Sequence, residues 1–580
     1  MKKNLNLAVI LSGLAMIIGA CSQENGTTLP DDELVEGLPT VATFSFYGDG
    51  VSESVAVAEQ NVPATRADAD FNSGGKSLSE TDEGRIVATD VKMLIFDYNS
   101  KRLEKKVDFS SASSVTVQVT SGKKLIFVAA NVSDLSDYTT AGAVDAASSF
   151  MLKYNALVEN QSVVGDLRGD DEGAQGRFTG GQPQLWSINK TSSSRTYKLA
   201  KLTSFPTASQ GLPMSSGDSL VYTIVPNITS AASSGGTPVE ATDSPTNTFK
   251  IKLKYMSAKA QLTMLTAGLT GASSTHNSVT YPDYKVYTSA NSGAEPKWTL
   301  KNHPLNTWYF EHFDGNGVPM SYYYRRIATP TGFDTRFDTG NNLDETVYDY
   351  ATEAAAIANT GHNFIYTPDN NSDKGNKIYR GQSTFFALRV IFAPGWRITA
   401  VTPTPSVAYT YTTTWTQTPA HPTTGYNPSY VYLRKALGYG ELSSGTYWAD
   451  TATIAKALWI QYKYTGANTY GAAEQTWARD SLAAIITAAG GRDNVYYKFT
   501  NSVSYYRVDV GQTLSDATIK YGVLRGHKYV ACIKQFYGPG FPEEKYLYGD
   551  PDLPVEQLAN LHVVISVKPW TVISATGIVQ

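Results

Sequence analysis

Two cysteines in 580 residues, Cys21 and Cys532, exclude a disulfide-dense scaffold. Cys532 lies in the apolar run Tyr529-Val530-Ala531-Cys532-Ile533 and reads as a small buried hydrophobe rather than a nucleophile. Charged residues make up only 17% of the chain, and the net charge is −4. With no basic stretch and no basic–aromatic stripe, nucleic acid is not an expected partner. Seven histidines are scattered without HExxH or paired spacing, so no transition metal is expected. There is no Gly-x-Ser-x-Gly elbow and no phosphate-binding loop. Adjacent carboxylates such as Asp170-Asp171 and Glu543-Glu544 point to opposite faces if they lie on strands. Neither an enzyme nor a cofactor is therefore predicted. Residues 369–375 half resemble a calcium loop, but Lys374 stands where the loop needs glycine and Arg380 where it needs a bidentate glutamate. A solvated turn is the better reading. Arg168-Gly169-Asp170 lies in a glycine-rich stretch and is too short a signal to count. Beyond residues 4–20, no apolar run approaches the roughly 20 residues that span a bilayer.

What is present points to β-structure. The chain is 42% hydrophobic and holds 37 tyrosines, with abundant Thr, Ser and Gly, a palette suited to twisted sheets with polar loops. Residues 40–47 alternate, with Ala42, Phe44 and Phe46 on one face. Further strands are predicted at 87–96, 114–119, 124–130, 197–202, 219–225, 249–264, 384–392, 494–500, 503–510, 527–533 and 561–573. Helices are predicted at 141–160, 451–462 and 474–489. Residues 404–450 read as Thr/Tyr/Pro-rich loop and sheet edge, and 280–378 as a long Tyr- and Gly-rich insert. A Ser/Thr/Gly/Pro linker at 228–247 is the predicted boundary. The fold class is all-β: two β-sandwich domains in tandem, 67–247 and 248–580, with a few short helices in insertions.

Two processing signals occupy the first 66 residues. Lys2-Lys3, a short apolar centre and Ile18-Gly19-Ala20-Cys21 make residues 1–20 a lipoprotein signal peptide, with Cys21 as the palmitate-bearing residue. Thr65-Arg66-Ala67-Asp68 offers an arginine in a small, polar stretch, so cleavage between Arg66 and Ala67 would release a lipidated leader, 21–66, that includes the strand at 41–47. Arg85 competes as a site but ranks lower, because Ile86 and Val87 begin a core strand. At the other end, residues 570–580 form a spare strand. Thr571, Ile573, Ala575, Gly577 and Val579 lie on one face, and Trp570, Val572, Ser574, Thr576 and Ile578 on the other. Which face would be buried stays open. Pro569 cannot donate a ladder bond and separates this segment from the strand before it.

The lipobox, Arg66, Leu212-Pro213-Met214-Ser215-Ser216, Tyr379-Arg380-Gly381 leading into Leu388-Arg389-Val390, Arg525-Gly526-His527-Lys528-Tyr529 and Val567-Lys568-Pro569-Trp570-Thr571-Val572 together resemble the type V pilin (fimbrillin) family. The second half resembles the shaft subunit of the short, or minor, fimbria. The resemblance implies transthyretin-like sandwiches, outer-membrane lipoprotein export, and removal of the first strand by an Arg-specific maturation protease. The vacated groove is then filled by a neighbour's terminal strand, here Trp570, Val572, Ile573, Ala575, Ile578 and Val579. Its implied partners are further copies of the chain head to tail, anchor and tip subunits, and host or bacterial surface receptors, with roles in adhesion and biofilm. Two other readings remain: a tip or accessory adhesin, and an anchored glycan-binding lipoprotein whose Tyr and Trp surplus forms stacking platforms.

Overall fold

The computed structural model describes residues 35–48, 91–99, 103–109, 114–130, 187–189, 212, 214–216, 221–229, 242–276, 279–287, 296–304, 306–308, 337–338, 345–358, 364–367, 369–370, 380, 383–417, 429–510, 522–548 and 561–569. These are dominated by strands, and the fold is all-β; among the described residues the longer helices are confined to one insertion.

The first sheet is built from β1 (Pro39–Gly48), β2 (Lys92–Asp97), β3 (Leu103–Asp108), β4 (Ser114–Thr120), β5 (Gly122–Ala130), β6 (Met214–Ser216), β7 (Val221–Ile224) and β8 (Thr248–Tyr255). Its order is β3-β2-β5-β6-β8-β1-β4, with β7 also on β5 and the two-residue strand Asp243–Ser244 on β7. The sheet curls until its ends meet. Phe46 of β1 packs edge-on against Phe109, just past β3, at 5.3 Å. The amide of Thr120, closing β4, donates to the Glu104 carboxylate on β3. Enclosing one apolar volume is the physical reason for this curl, and Ile95, Phe127, Phe249 and Leu253 share that core with Ala42 and Phe44. The strand Thr248–Tyr255, read from sequence as opening the second sandwich, lies in this first core.

Past Met256-Ser257 the chain enters a second core. From here the chain forms β9 (Ala258–Leu265), β10 (Tyr284–Tyr287), β11 (Lys297–Lys301), β12 (Phe385–Pro394), β13 (Trp396–Pro403), β14 (Tyr411–Gln417), β15 (Tyr430–Leu433), β16 (Tyr447–Trp448), α1 (Thr451–Lys463), α2 (Ala472–Ala488), β17 (Tyr496–Phe499), β18 (Val503–Asp509), β19 (His527–Phe536) and β20 (Leu561–Pro569), among shorter strands. One sheet runs β9-β19-β20, and a second places β12 between β10 and β11, with β18 also on β12. Leu262, Tyr529 and Ala531 from the first meet Trp298, Phe386 and Leu388 from the second. The two sheets are thus the faces of a sandwich. Because β12 is covered on both sides, it reads as a continuous apolar run rather than an alternating one.

A third core interrupts this sandwich. Strands β13 to β17 form a five-stranded sheet, ordered β14-β13-β16-β15-β17, against which α1 and α2 pack. The sequence reading of 404–450 as loop and edge is corrected here, since β14, β15 and β16 all belong to this sheet. The helix at 141–160, and the strand at 197–202, lie outside the described residues. Among the described residues no helix is long and apolar enough to cross a membrane.

Candidate strand-exchange site

β1 is an interior strand. It pairs antiparallel with β4, from Pro39↔Thr120 to Ser45↔Ser114, and parallel with β8, from Thr43↔Thr248 to Gly48↔Leu253. Its alternation follows from having one face on the core. Thr40, Ala42 and Phe44 are buried, whereas Val41, Thr43 and Ser45 are half-buried on the opposite face. Phe44 is 1% exposed and stacks on Phe249 of β8 at 5.5 Å. The edge of Tyr222 meets Phe249 at 5.3 Å, and burial pushes the Tyr222 phenol up to about 12. The floor beneath β1 is therefore apolar.

Polar groups hold the N-terminal end of this strand from two sides. The segment before it is stapled to Ser121, in the tight turn between β4 and β5. The amides of Gly37 and Leu38 donate to the Ser121 carbonyl and hydroxyl, the Ser121 amide donates to the Leu38 carbonyl, and the Ser121 hydroxyl donates to the Val35 carbonyl. On the far side stands Asn247, fully buried with φ +52. Its Nδ2 donates to the carbonyls of Val225 (2.7 Å) and Val41 (3.1 Å) and to Thr40 Oγ1 (3.1 Å), and its Oδ1 accepts from the Val225 amide (2.7 Å). The Thr40 hydroxyl donates to the Val225 carbonyl at 2.9 Å and accepts from the Ile228 amide at 3.2 Å. Asn247 and Thr40 thus couple β1 to the 225–228 turn and to the start of β8. The sequence reading did not single out either residue. The available signal was an asparagine, tolerant of left-handed backbone, at the start of an alternating strand.

A buried charge lies at the rim. Lys124, 0% exposed, sits 3.0 Å from Asp97 and 2.8 Å from Glu104, the carboxylate that also receives the Thr120 amide. Two carboxylates compensate the buried ammonium, as a charge removed from water requires.

Withdrawing β1 would uncover one edge of β4 and one edge of β8 together with the Phe249 floor. Unpaired main-chain groups beside an apolar trench favour an incoming strand.

Of the residues singled out from sequence, Ala42, Phe44 and Phe46 lie on one face of β1, Phe46 half-buried against Phe109. Cys21, Arg66, Ala67, Trp570, Val572, Ile573, Ala575, Ile578 and Val579 lie outside the described residues, as do Arg85 and Arg168-Gly169-Asp170. β20 runs antiparallel to β19 and reaches Pro569, paired with His527. Asp369, first residue of the half-matching calcium loop, is held by Arg525 at 3.1 Å, with both side chains buried. Among the described residues, no group of three metal-ligating side chains occurs. Cys532 is fully buried, and burial raises its thiol pKa.

No family model and no curated protein matches the chain. Among solved structures, it is similar to a fimbrilin of Porphyromonas gingivalis W83, at 13% identity and a TM-score of 0.35, covering 92% of this chain and 98% of that one. It is also similar to the C-terminally truncated tip fimbrial protein Mfa3 of Porphyromonas gingivalis, at 11% identity and a TM-score of 0.28, covering 86% and 98%. Likeness at this level says nothing of what this chain does.

Proposed function

We propose that the chain is a structural subunit of a cell-surface fimbrium, of the type V pilin kind, that polymerises by donor-strand exchange. Cys21 carries the lipid that anchors the precursor to the outer membrane. An Arg-specific protease cuts after Arg66, β1 leaves with the leader, and residues 570–580 of the next copy take its place. Repetition head to tail does not close on itself and gives a filament. The two β-sandwich domains are the shaft's body, and anchor and tip subunits terminate it.

One observation carries this reading. The strand that a cut after Arg66 would separate from the body is paired on both edges and buries Ala42 and Phe44. A separable strand in an interior position is the requirement for exchange. A separable edge strand would leave no two-sided groove. Burying three or four donor side chains at roughly 1.5–3 kcal/mol each gives a gross gain that ordering the tail partly offsets.

The test is digestion of the purified full-length chain with an Arg-specific protease. Ala67 as the new N-terminal residue, loss of the leader and an SDS-resistant ladder are expected. The ladder should vanish when 570–580 is deleted. Clean removal of residues 1–66 that leaves only monomer refutes the proposal. A tip or accessory adhesin is the second reading, favoured by the helix-bearing unit inserted in the second sandwich. Immunogold label confined to fibre ends would select it.

A further inference from the structure

The unit made of β13–β17, α1 and α2 is not needed to complete a sandwich. It leaves after Pro394 and returns at Val503, and the strands on either side of it, β12 and β18, pair with each other from Phe385↔Asp509 to Ile391↔Val503. It is a hairpin connection enlarged into a body with its own core around Trp448, Leu458 and Trp459. A loop of this size with secondary structure of its own is a common place for a binding function.

Between β13 and the two helices opens a cleft of about 740 Å³. Lys456 of α1 and Arg479 of α2 line it, together with the ring of Tyr470, the Thr451 hydroxyl and the Gln475 amide. The nearby carboxylates are engaged. Asp450 caps α1 by accepting from the amide and hydroxyl of Thr453, at 2.8 and 2.9 Å. Glu474 accepts from the Gly471 amide at 3.1 Å. Asp480 stands 3.5 Å from Arg479, but both are largely in water, where such a pair is weak. Lys456 is half-buried, with Nζ 5.7 Å from the Tyr470 ring centroid and no carboxylate within ion-pair distance among the described residues. Neither Thr451 Oγ1 nor the Gln475 side chain has a hydrogen-bond partner among the described residues.

We propose that this cleft binds an anionic saccharide. A sugar ring stacks on Tyr470, its carboxylate or sulfate meets Lys456 and Arg479, and its hydroxyls bond Thr451 and Gln475. The volume suits a short oligosaccharide. β14 pairs along one edge of β13 and β16 meets the other at Ile398↔Trp448, and the cationic, hydroxyl and amide side chains of the cleft suit a sugar acid better than a ladder-forming strand. The start of α1 is not a further anion site, because the Asp450 side chain already occupies it. The proposal stands whether or not the chain polymerises.

The test titrates the full-length chain with 3′-sialyllactose and with a sulfated heparin disaccharide, using lactose as the neutral control, by saturation-transfer NMR and calorimetry. At least one acidic probe should bind, at least roughly tenfold more tightly than lactose, and more weakly as salt rises. Lys456→Gln and Arg479→Gln should each weaken it about tenfold. Arg479 is too exposed for its loss to disturb folding, and unchanged melting of both variants checks this. Absence of binding by both acidic probes up to about 10 mM, or unchanged affinity in the double variant, overturns the proposal.

Discussion

Asn247→Ala should loosen β1 more than any single apolar contact on the strand's outer face. The side chain is fully buried and makes four hydrogen bonds, to Val225 twice, to Val41 and to Thr40. Its loss strands the buried Val225 amide, at about 1–3 kcal/mol, and removes donors from three oxygens, each worth about 0.5–1.5 kcal/mol net. Alanine at φ +52 adds about 1–2 kcal/mol of left-handed backbone cost. Because these terms share partners and do not add fully, a total near 3–6 kcal/mol is expected. Hydrogen exchange of the amides of residues 40–48 reads this directly. A loss of that size accelerates opening by roughly 10²- to 10⁴-fold, while amides of the second core should be unaffected. Asn247→Gly separates the causes: it keeps the hydrogen-bond loss, relieves the φ penalty, and should fall about 1 kcal/mol short of the alanine effect. If exchange across 40–48 in Asn247→Ala stays within about threefold of the parent, Asn247 does not clamp the strand and the reasoning fails.

Phe44→Ala should cost about 3–5 kcal/mol in the first core by emptying the space above Phe249, measured by protease susceptibility of the parent and variant at equal temperature. Asp369→Ala should cost a similar amount, about 3–5 kcal/mol, because it leaves the buried Arg525 guanidinium without its carboxylate, and urea unfolding of the second core reports it. Above pH 10 the first core should weaken. The folded state holds the Tyr222 proton up to about 12 against 10.0 in the unfolded chain, so the unfolded state releases it first and stability falls as pH rises between those values. That contribution is at most about 2.7 kcal/mol, and Tyr222→Phe should flatten this part of the profile.

Where one face meets a core and the other does not, the sequence was informative. Thr40, Ala42 and Phe44 alternate with half-buried neighbours, and the strand was legible for that reason. The helices at 451–463 and 472–488 were legible too, the second because Leu482, Ile485 and Ile486 fall on one face and pack on the third core. Of the insert's sheet only β17 was, within the predicted strand 494–500. β15 and β16 are too short to express a period, and β14 is a threonine-rich edge strand whose side chains are half-buried or exposed throughout. The placement of Thr248–Tyr255 in the first core was hidden for a different reason. Alternation runs from Phe249 through Leu265 with only Met256-Ser257 between strands, and periodicity does not say which core a strand faces. Asn247 marked locally only a left-handed turn before a strand; its clamping role exists because the topology brings Thr40, Val41 and Val225 around it.

The polarity of β1 constrains whatever replaces it. β1 runs parallel to β8 and antiparallel to β4, with Val41 opposite Gln118 and Ser45 opposite Ser114. A donor that recovers both ladders must keep that direction, because the curled sheet fixes the amides and carbonyls of β4 and β8 relative to each other. A one-residue slip would exchange the donor's two faces, so register is as constrained as direction. Under strand exchange, residues early in 570–580 of one copy should therefore lie near Gln118 of the next and later residues near Ser114. Gln118 and Ser114 are exposed, and once the leader carrying Cys21 is removed the remaining cysteine, Cys532, is buried and does not compete. Gln118→Cys combined with Thr571→Cys should crosslink copies after cleavage, as should Ser114→Cys with a cysteine four residues further along, at Ala575. The swapped combinations should not. Crosslinking by the swapped pairs alone would reverse the donor's direction, and with it the premise that the incoming strand substitutes for β1 bond by bond.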